Sequence, residues 1–123
     1  MDIIEENDNA TFALVSIIRV KRKHKEEFLE SARKANKDMQ GQDGLLQYRI
    51  FTPHKDKAPV IIISLWENKK SFEKALKDDR FQEIYESHRM QEMSDWIKSV
   101  DIMEYSVSDE WQNNRSHPDI QKK

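Results

Sequence analysis

Hydrophobic residues in this chain fall into short runs separated by charged stretches, and the period within a run changes along the sequence. Phe12 to Val20 is dense in aliphatic and β-branched residues and predicts a first strand. The basic run Lys21-Arg22-Lys23-His24-Lys25 then leads into a helix, where Phe28, Ala32, Ala35 and Met39 recur at offsets of four, three and four and so share one stripe. Gly41 follows directly and can end that helix, because it accepts a left-handed conformation without strain. Gly44 opens a second strand, Leu45 to Phe51. A polar turn from Pro53 to Lys57, bounded by Pro59, separates it from a third, Val60 to Trp66, the most apolar stretch of all. Asn68 can cap a short helix whose inner face is Phe72, Ala75 and Leu76. Asp78 or Asp79 can cap another, with Phe81, Ile84, Tyr85 and His88 on one stripe. Trp96 and Ile97 are expected to close this helical region, and Ser99 to Val107 reads as a fourth strand.

The order strand, helix, strand, strand, helix pair, strand predicts an α+β fold: the ferredoxin-like, split βαβ arrangement with a four-stranded antiparallel sheet. Both crossovers are helical and long enough to connect parallel neighbours. The domain is expected over residues 11–107, after a loose arm (1–10) and before a polar tail (108–123). Helices cover only one face of such a sheet, and the other should turn polar if it meets water. It does not. Phe12, Leu14, Ile18 and Val20 alternate with Ala13, Val15 and Ile17, while Val60, Ile62 and Ser64 alternate with Ile61, Ile63 and Leu65. Both faces need cover. The arm and the tail are poor in apolar residues, so the expected cover is a second copy of the sheet, in a homodimer.

At 123 residues there is room for one core. Twenty-one basic residues against 23 acidic give a net charge of -2, which provides no general attraction to nucleic acid or to anionic lipid. The absence of cysteine excludes disulfides, thiolate metal sites and cysteine nucleophiles. No early segment resembles a signal peptide and no run is long enough for a membrane span, so the expected location is the cytoplasm. Phosphate loops, nucleophile elbows and zinc spacings are absent as well, and no metal site is expected.

The run Ile61-Ile62-Ile63-Ser64-Leu65-Trp66-Glu67-Asn68-Lys69-Lys70-Ser71-Phe72, a hydrophobic strand ending in Trp-Glu with Ser-Phe soon after, resembles the signature of antibiotic biosynthesis monooxygenase domains. Gly44-Leu45-Leu46-Gln47-Tyr48 resembles the family's entry to its second strand, and Asp78-Asp79-Arg80-Phe81 its turn before the last helix. The likeness spans Phe12 to Val107 and implies a dimeric α/β barrel in which two sheets face each other. Some members of that family oxygenate aromatic polyketides or quinols without metal or flavin, and others bind and cleave haem. The haem-cleaving branch uses an asparagine, a tryptophan and a histidine where this chain has Ser16, Ala75 and Tyr85, so haem degradation is disfavoured and no cofactor is expected. His88, one turn beyond Tyr85, is the remaining imidazole that could reach an iron; a lone helical histidine is more often a surface or packing residue.

Cofactor-free oxygenation needs a site for an electron-rich ring and a group to deprotonate or polarise it. Tyr85 and Trp66 are the expected catalytic pair, with Phe72 and Phe81 as further aromatic walls and Ser16, Ser64, Gln47, Arg49 and His88 as polar contacts to a small aromatic molecule. The simpler account of Trp66 and Phe72 is that they pack helix to sheet. His24, His54 and His117 read as solvated, and Asp78-Asp79 as a helix cap. Two functions remain open: a monooxygenase of small aromatics or quinols, and a non-catalytic dimeric binding or stress-response protein. A closed polar-and-aromatic cavity would favour the first, and a filled interior the second.

Overall fold

The computed structural model describes residues 10–86, 95–111 and 113. Within them the chain forms an α+β, ferredoxin-like fold. Strand β1 (Phe12–Val20) leads through a 3-10 turn at Arg22–His24 into α1 (Lys25–Met39). Next come β2 (Leu45–Phe51), β3 (Val60–Trp66), the short helices α2 (Lys69–Leu76) and α3 (Asp79–Glu86), and β4 (Ile97–Ser106). The sheet order is β2-β3-β1-β4 and every neighbouring pair is antiparallel. Each helical crossover therefore joins parallel strands that are not neighbours: β3 lies between β1 and β2, and β1 lies between β3 and β4. The expectation of parallel neighbours is corrected here, because the β2–β3 hairpin folds its second strand back into the gap.

Local chemistry accounts for most element boundaries. Gly41 adopts φ 87° after α1, and the Gln42 amide reaches back to the Met39 carbonyl at 3.0 Å. The Asn68 side chain accepts the Ser71 amide at 2.8 Å, which fixes the start of α2. Asp78 does the same for α3, taking the Arg80 amide at 2.8 Å. The fourth strand begins earlier than expected: Ile97 is its first residue, opposite Val20, beside a register shift at Arg19/Val20. A single apolar residue after a helical stretch does not reveal that it pairs with a strand over seventy positions away.

Register divides the sheet into two faces. Phe12, Leu14, Ser16 and Ile18 share the helix face with Val60, Ile62, Ser64 and Trp66, and with Tyr48, Ile50, Val100 and Ile102 from the edge strands. Two clusters form there. Phe28, Leu29 and Ala32 of α1 pack on Ile18 and Val60. Phe72 and Ala75 of α2 and Phe81 of α3 pack with Met39 on Phe12 and Trp66. Burying one such phenylalanine is worth about 1.5–3 kcal/mol.

Candidate functional site

Between these two clusters, under the helices, the sheet leaves a cavity of about 140 Å³. Leu14, Ser16, Ile62, Ser64, Trp66 and Tyr48 form its floor, and Phe28, Ala32, Ala35, Met39, Phe72 and Phe81 its roof. Val100 and Ile102 of β4 also line it, yet both are exposed, which places the mouth over the β4 edge, beyond the reach of the described helices.

Trp66 is 1% exposed and is packed edge-on against two rings, Phe72 at 5.3 Å and Phe81 at 6.0 Å between centroids. Phe72 in turn stacks on Phe12 at 5.4 Å. The indole Nε1–H donates to the Ser64 hydroxyl at 3.0 Å. That bond follows from strand geometry, since Ser64 and Trp66 are two apart and so share a face. Trp66 is thus both a core residue and a wall of the cavity, with its polar edge already satisfied.

Of the residues expected at the site, Trp66, Ser16, Ser64, Phe72 and Phe81 meet around this cavity. Arg49 does not, and neither does Gln47. They pair with Ile63 and Leu65 on the opposite face of the sheet, where the Arg49 Nε donates to Gln47 Oε1 at 3.1 Å. The correction is one of parity: past the bulge between Leu45 and Gln47, Tyr48 and Ile50 reach the helix side, and Gln47 and Arg49 do not. Tyr48 is the hydroxyl that sequence reasoning left out. Its signal was the hairpin register, which sets it directly opposite Ser64. Tyr85 belongs to α3, but its side chain, like the whole of His88, lies outside the described residues. His117 lies outside them too.

No side chain among the described lining residues carries a charge at neutral pH, so the polar groups of the cavity are the hydroxyls of Ser16, Tyr48 and Ser64. Among the described residues there is no group of three or more His, Cys, Asp or Glu able to hold a metal ion, and no helix is long and apolar enough to cross a membrane. At the end of the sheet near the β2–β3 loop, Arg22 and Asp56 pair at 2.7 Å on the surface. The Arg22 guanidinium, helped by Lys25, holds the Asp56 carboxyl below its ordinary value of 3.8. His24 is not the solvated loop residue expected. It is half-buried, stacks on Trp96 at 6.2 Å and approaches Glu27 at 3.3 Å.

Solved structures of similar shape are many and distant in sequence. A conserved protein from Methanosarcina mazei superposes with a TM-score of 0.64 at 17% identity, over 80% of this chain and 94% of its own. A candidate antibiotic biosynthesis monooxygenase from Chloroflexus aurantiacus gives 0.63 at 14%, over 84% of this chain and 98% of its own. A MhuD mutant with two manganese protoporphyrin IX molecules bound per active site gives 0.66 at 15%, over 83% and 99%. At such identities the likeness establishes the fold alone. No curated protein matches the sequence. The sequence profile of the antibiotic biosynthesis monooxygenases matches residues 11–87, from the first strand through the last described helix. The chain belongs to the antibiotic biosynthesis monooxygenase family.

Proposed function

We propose that this protein is a cofactor-independent monooxygenase of a small aromatic or quinol substrate, bound in the cavity between sheet and helices. The observation that carries this reading is the cavity itself, about 140 Å³ and walled by aromatic and aliphatic side chains with a few hydroxyls. An apolar cavity of about 150 Å³ is known to admit benzene, so a single ring is the right size of guest. A porphyrin is not. Drug-sized ligands occupy roughly 300–1,000 Å³, and the described lining residues offer no imidazole. With Ser16, Ala75 and Tyr85 in place of the haem-cleaving residues, haem degradation is not part of this reading.

A hydroquinone brings its own electrons. One atom of O2 enters the ring, the other leaves as water, and the ring ends as a hydroxyquinone. Trp66 provides the aromatic wall, and Ser16 and Ser64 provide hydroxyls toward the ring oxygens, with Phe72 and Phe81 closing the roof. Tyr85, four residues after Phe81 along α3, is assigned the phenol that polarises the substrate, and His88 a further polar contact to it. The proposed working unit is a cytoplasmic homodimer, its sheets packed through Val15, Ile17, Ile61, Ile63 and Leu65. These residues face away from the helices and are only half-buried in the single chain.

A second reading is a dimeric binding or stress-response protein of the same fold that performs no chemistry. It is favoured by the absence of any residue ionised near neutral pH among the described lining residues. One experiment separates the two: oxygen uptake by the purified protein with a panel of monocyclic hydroquinones, alongside ligand binding by NMR. Consumption of one O2 per ring with hydroxyquinone formed and no peroxide supports the enzyme. Binding without uptake leaves the binding protein, and neither would overturn both.

A further inference from the structure

Ser64 is 5% exposed and lines the cavity, and its side-chain bond is the one its hydroxyl accepts from the Trp66 indole. A serine hydroxyl has one proton and two lone pairs. With a lone pair committed to the indole at 3.0 Å, the proton is directed elsewhere, and among the described residues no acceptor takes it. The strand amides and carbonyls on either side are engaged in the ladders with β1 and β2. What remains in front of Ser64 is the cavity.

We infer that Ser64, held in orientation by Trp66, is a specificity residue that donates a hydrogen bond to an acceptor oxygen on the bound ring. The inference deepens the proposed function by naming the chemistry that the cavity selects: a compact ring presenting a carbonyl or phenolate oxygen toward β3, in preference to a hydrocarbon of equal shape. Placement supports it. Ser64 lies directly opposite Tyr48 on β2 and Leu14 on β1, with Ser16 on the diagonal, so one hydroxyl-bearing patch sits at the centre of an otherwise apolar floor. A donor fixed by a neighbour loses little freedom when it bonds a ligand, and a buried donor left without a partner penalises guests that lack an acceptor. Trp66 acts through Ser64 in this respect and is a positioning residue.

Benzaldehyde and styrene test this, because they share shape and differ in a carbonyl against a vinyl group. A cavity without a donor prefers styrene, since the carbonyl must shed its water with nothing in return. The wild-type protein is expected to bind benzaldehyde at least as tightly as styrene, with both titrations followed through the methyl resonances of Ile62 and Ile102. In Ser64→Ala the benzaldehyde-to-styrene affinity ratio should fall about tenfold. In Trp66→Phe it should fall part of the way, because the hydroxyl is still there and free to rotate. The ratio guards against general damage, which weakens both guests together. Ser64→Ala strands the indole N–H, so the double variant Ser64→Ala/Trp66→Phe, which removes donor and acceptor at once, repeats the measurement without that defect. A wild-type protein that prefers styrene as strongly as the variants do overturns the inference and leaves the cavity reading standing. Failure of both guests to bind overturns both.

Discussion

Ile62 and Ile63 are adjacent on the central strand β3, identical in chemistry, and in very different surroundings. Ile62 looks into the cavity and packs with the cluster around Phe28 and Val60. Ile63 pairs with Val15 and Arg49 on the face that no described helix covers. The same contrast runs across the sheet. On the helix side Val60, Ser64 and Trp66 are buried, with Ile62 half-buried at the cavity, while on the other side Ile61, Ile63 and Leu65 are all half-buried and Phe51 and Tyr105 exposed. Similar aliphatic content has been spent on two different tasks. One face is covered by helices of its own chain over β1 and β3 and leaves a small space for a guest, open at Val100 and Ile102. The other has no cover among the described residues, and an apolar surface of that kind marks a place where another surface docks.

The largest effect should come from placing a carboxylate on each face in turn. Ile62→Asp puts an unpaired acid against the core, at a cost of several kcal/mol, enough to exhaust the stability of a small domain. It is expected to be unfolded at 25 °C by circular dichroism. Ile63→Asp should keep the native spectrum and a folded monomer, and lose the dimer in light scattering. If it remains as dimeric as the wild type, or if the wild type is itself a 14.7 kDa particle, face-to-face pairing is wrong.

Phe81→Ala removes a ring that is 1% exposed and packs on Trp66. It should cost about 3–5 kcal/mol in urea unfolding and, because the ring is part of the cavity roof, admit larger aromatics than the wild type does. A loss below about 1 kcal/mol would mean that the roof collapses without penalty, and that the cavity is not the rigid space described.

A smaller effect is expected at Gly44, where β2 enters the sheet beneath α2. Its φ is +83°, and a Cβ there would meet the Ser71 Cβ at 2.5 Å. Gly44→Ala combines a disfavoured backbone with a clash and should cost roughly 1–3 kcal/mol. Gly41→Ala has a similar φ of +87° but open space around it, so it should lose less. Equal losses at the two glycines would remove the argument for close packing.

The smallest expected effect lies outside both faces. Arg22 and Asp56 are on the surface, where solvent screens their attraction. The folded-state pKa of Asp56 is depressed, so its contribution is present above 3.8 and fades as pH falls through the lowered value. Arg22→Ala should raise the Asp56 titration midpoint toward 3.8, as read by NMR, and barely move the melting temperature at neutral pH.

Much of this molecule was legible in the order of its residues, because the deciding interactions are local. The bounds of β1, β2 and β3 agree with those expected, as does the stripe Phe28, Ala32, Ala35, Met39, all buried in α1. Asn68 caps the helix it was expected to cap, since the bond spans only three residues. Alternation also divided each strand into two sets of side chains. What alternation could not supply is the sign: which set meets the helices. That is fixed by register between strands far apart in sequence, and it moved Arg49 and Gln47 away from the site while bringing Tyr48 into it. Ile97 joined a strand for the same reason, through its pairing with Val20. The cavity lies at a further remove. It exists because two clusters anchored by different helices do not quite meet, and a gap between packed bodies is a property of their volumes and not of any single segment.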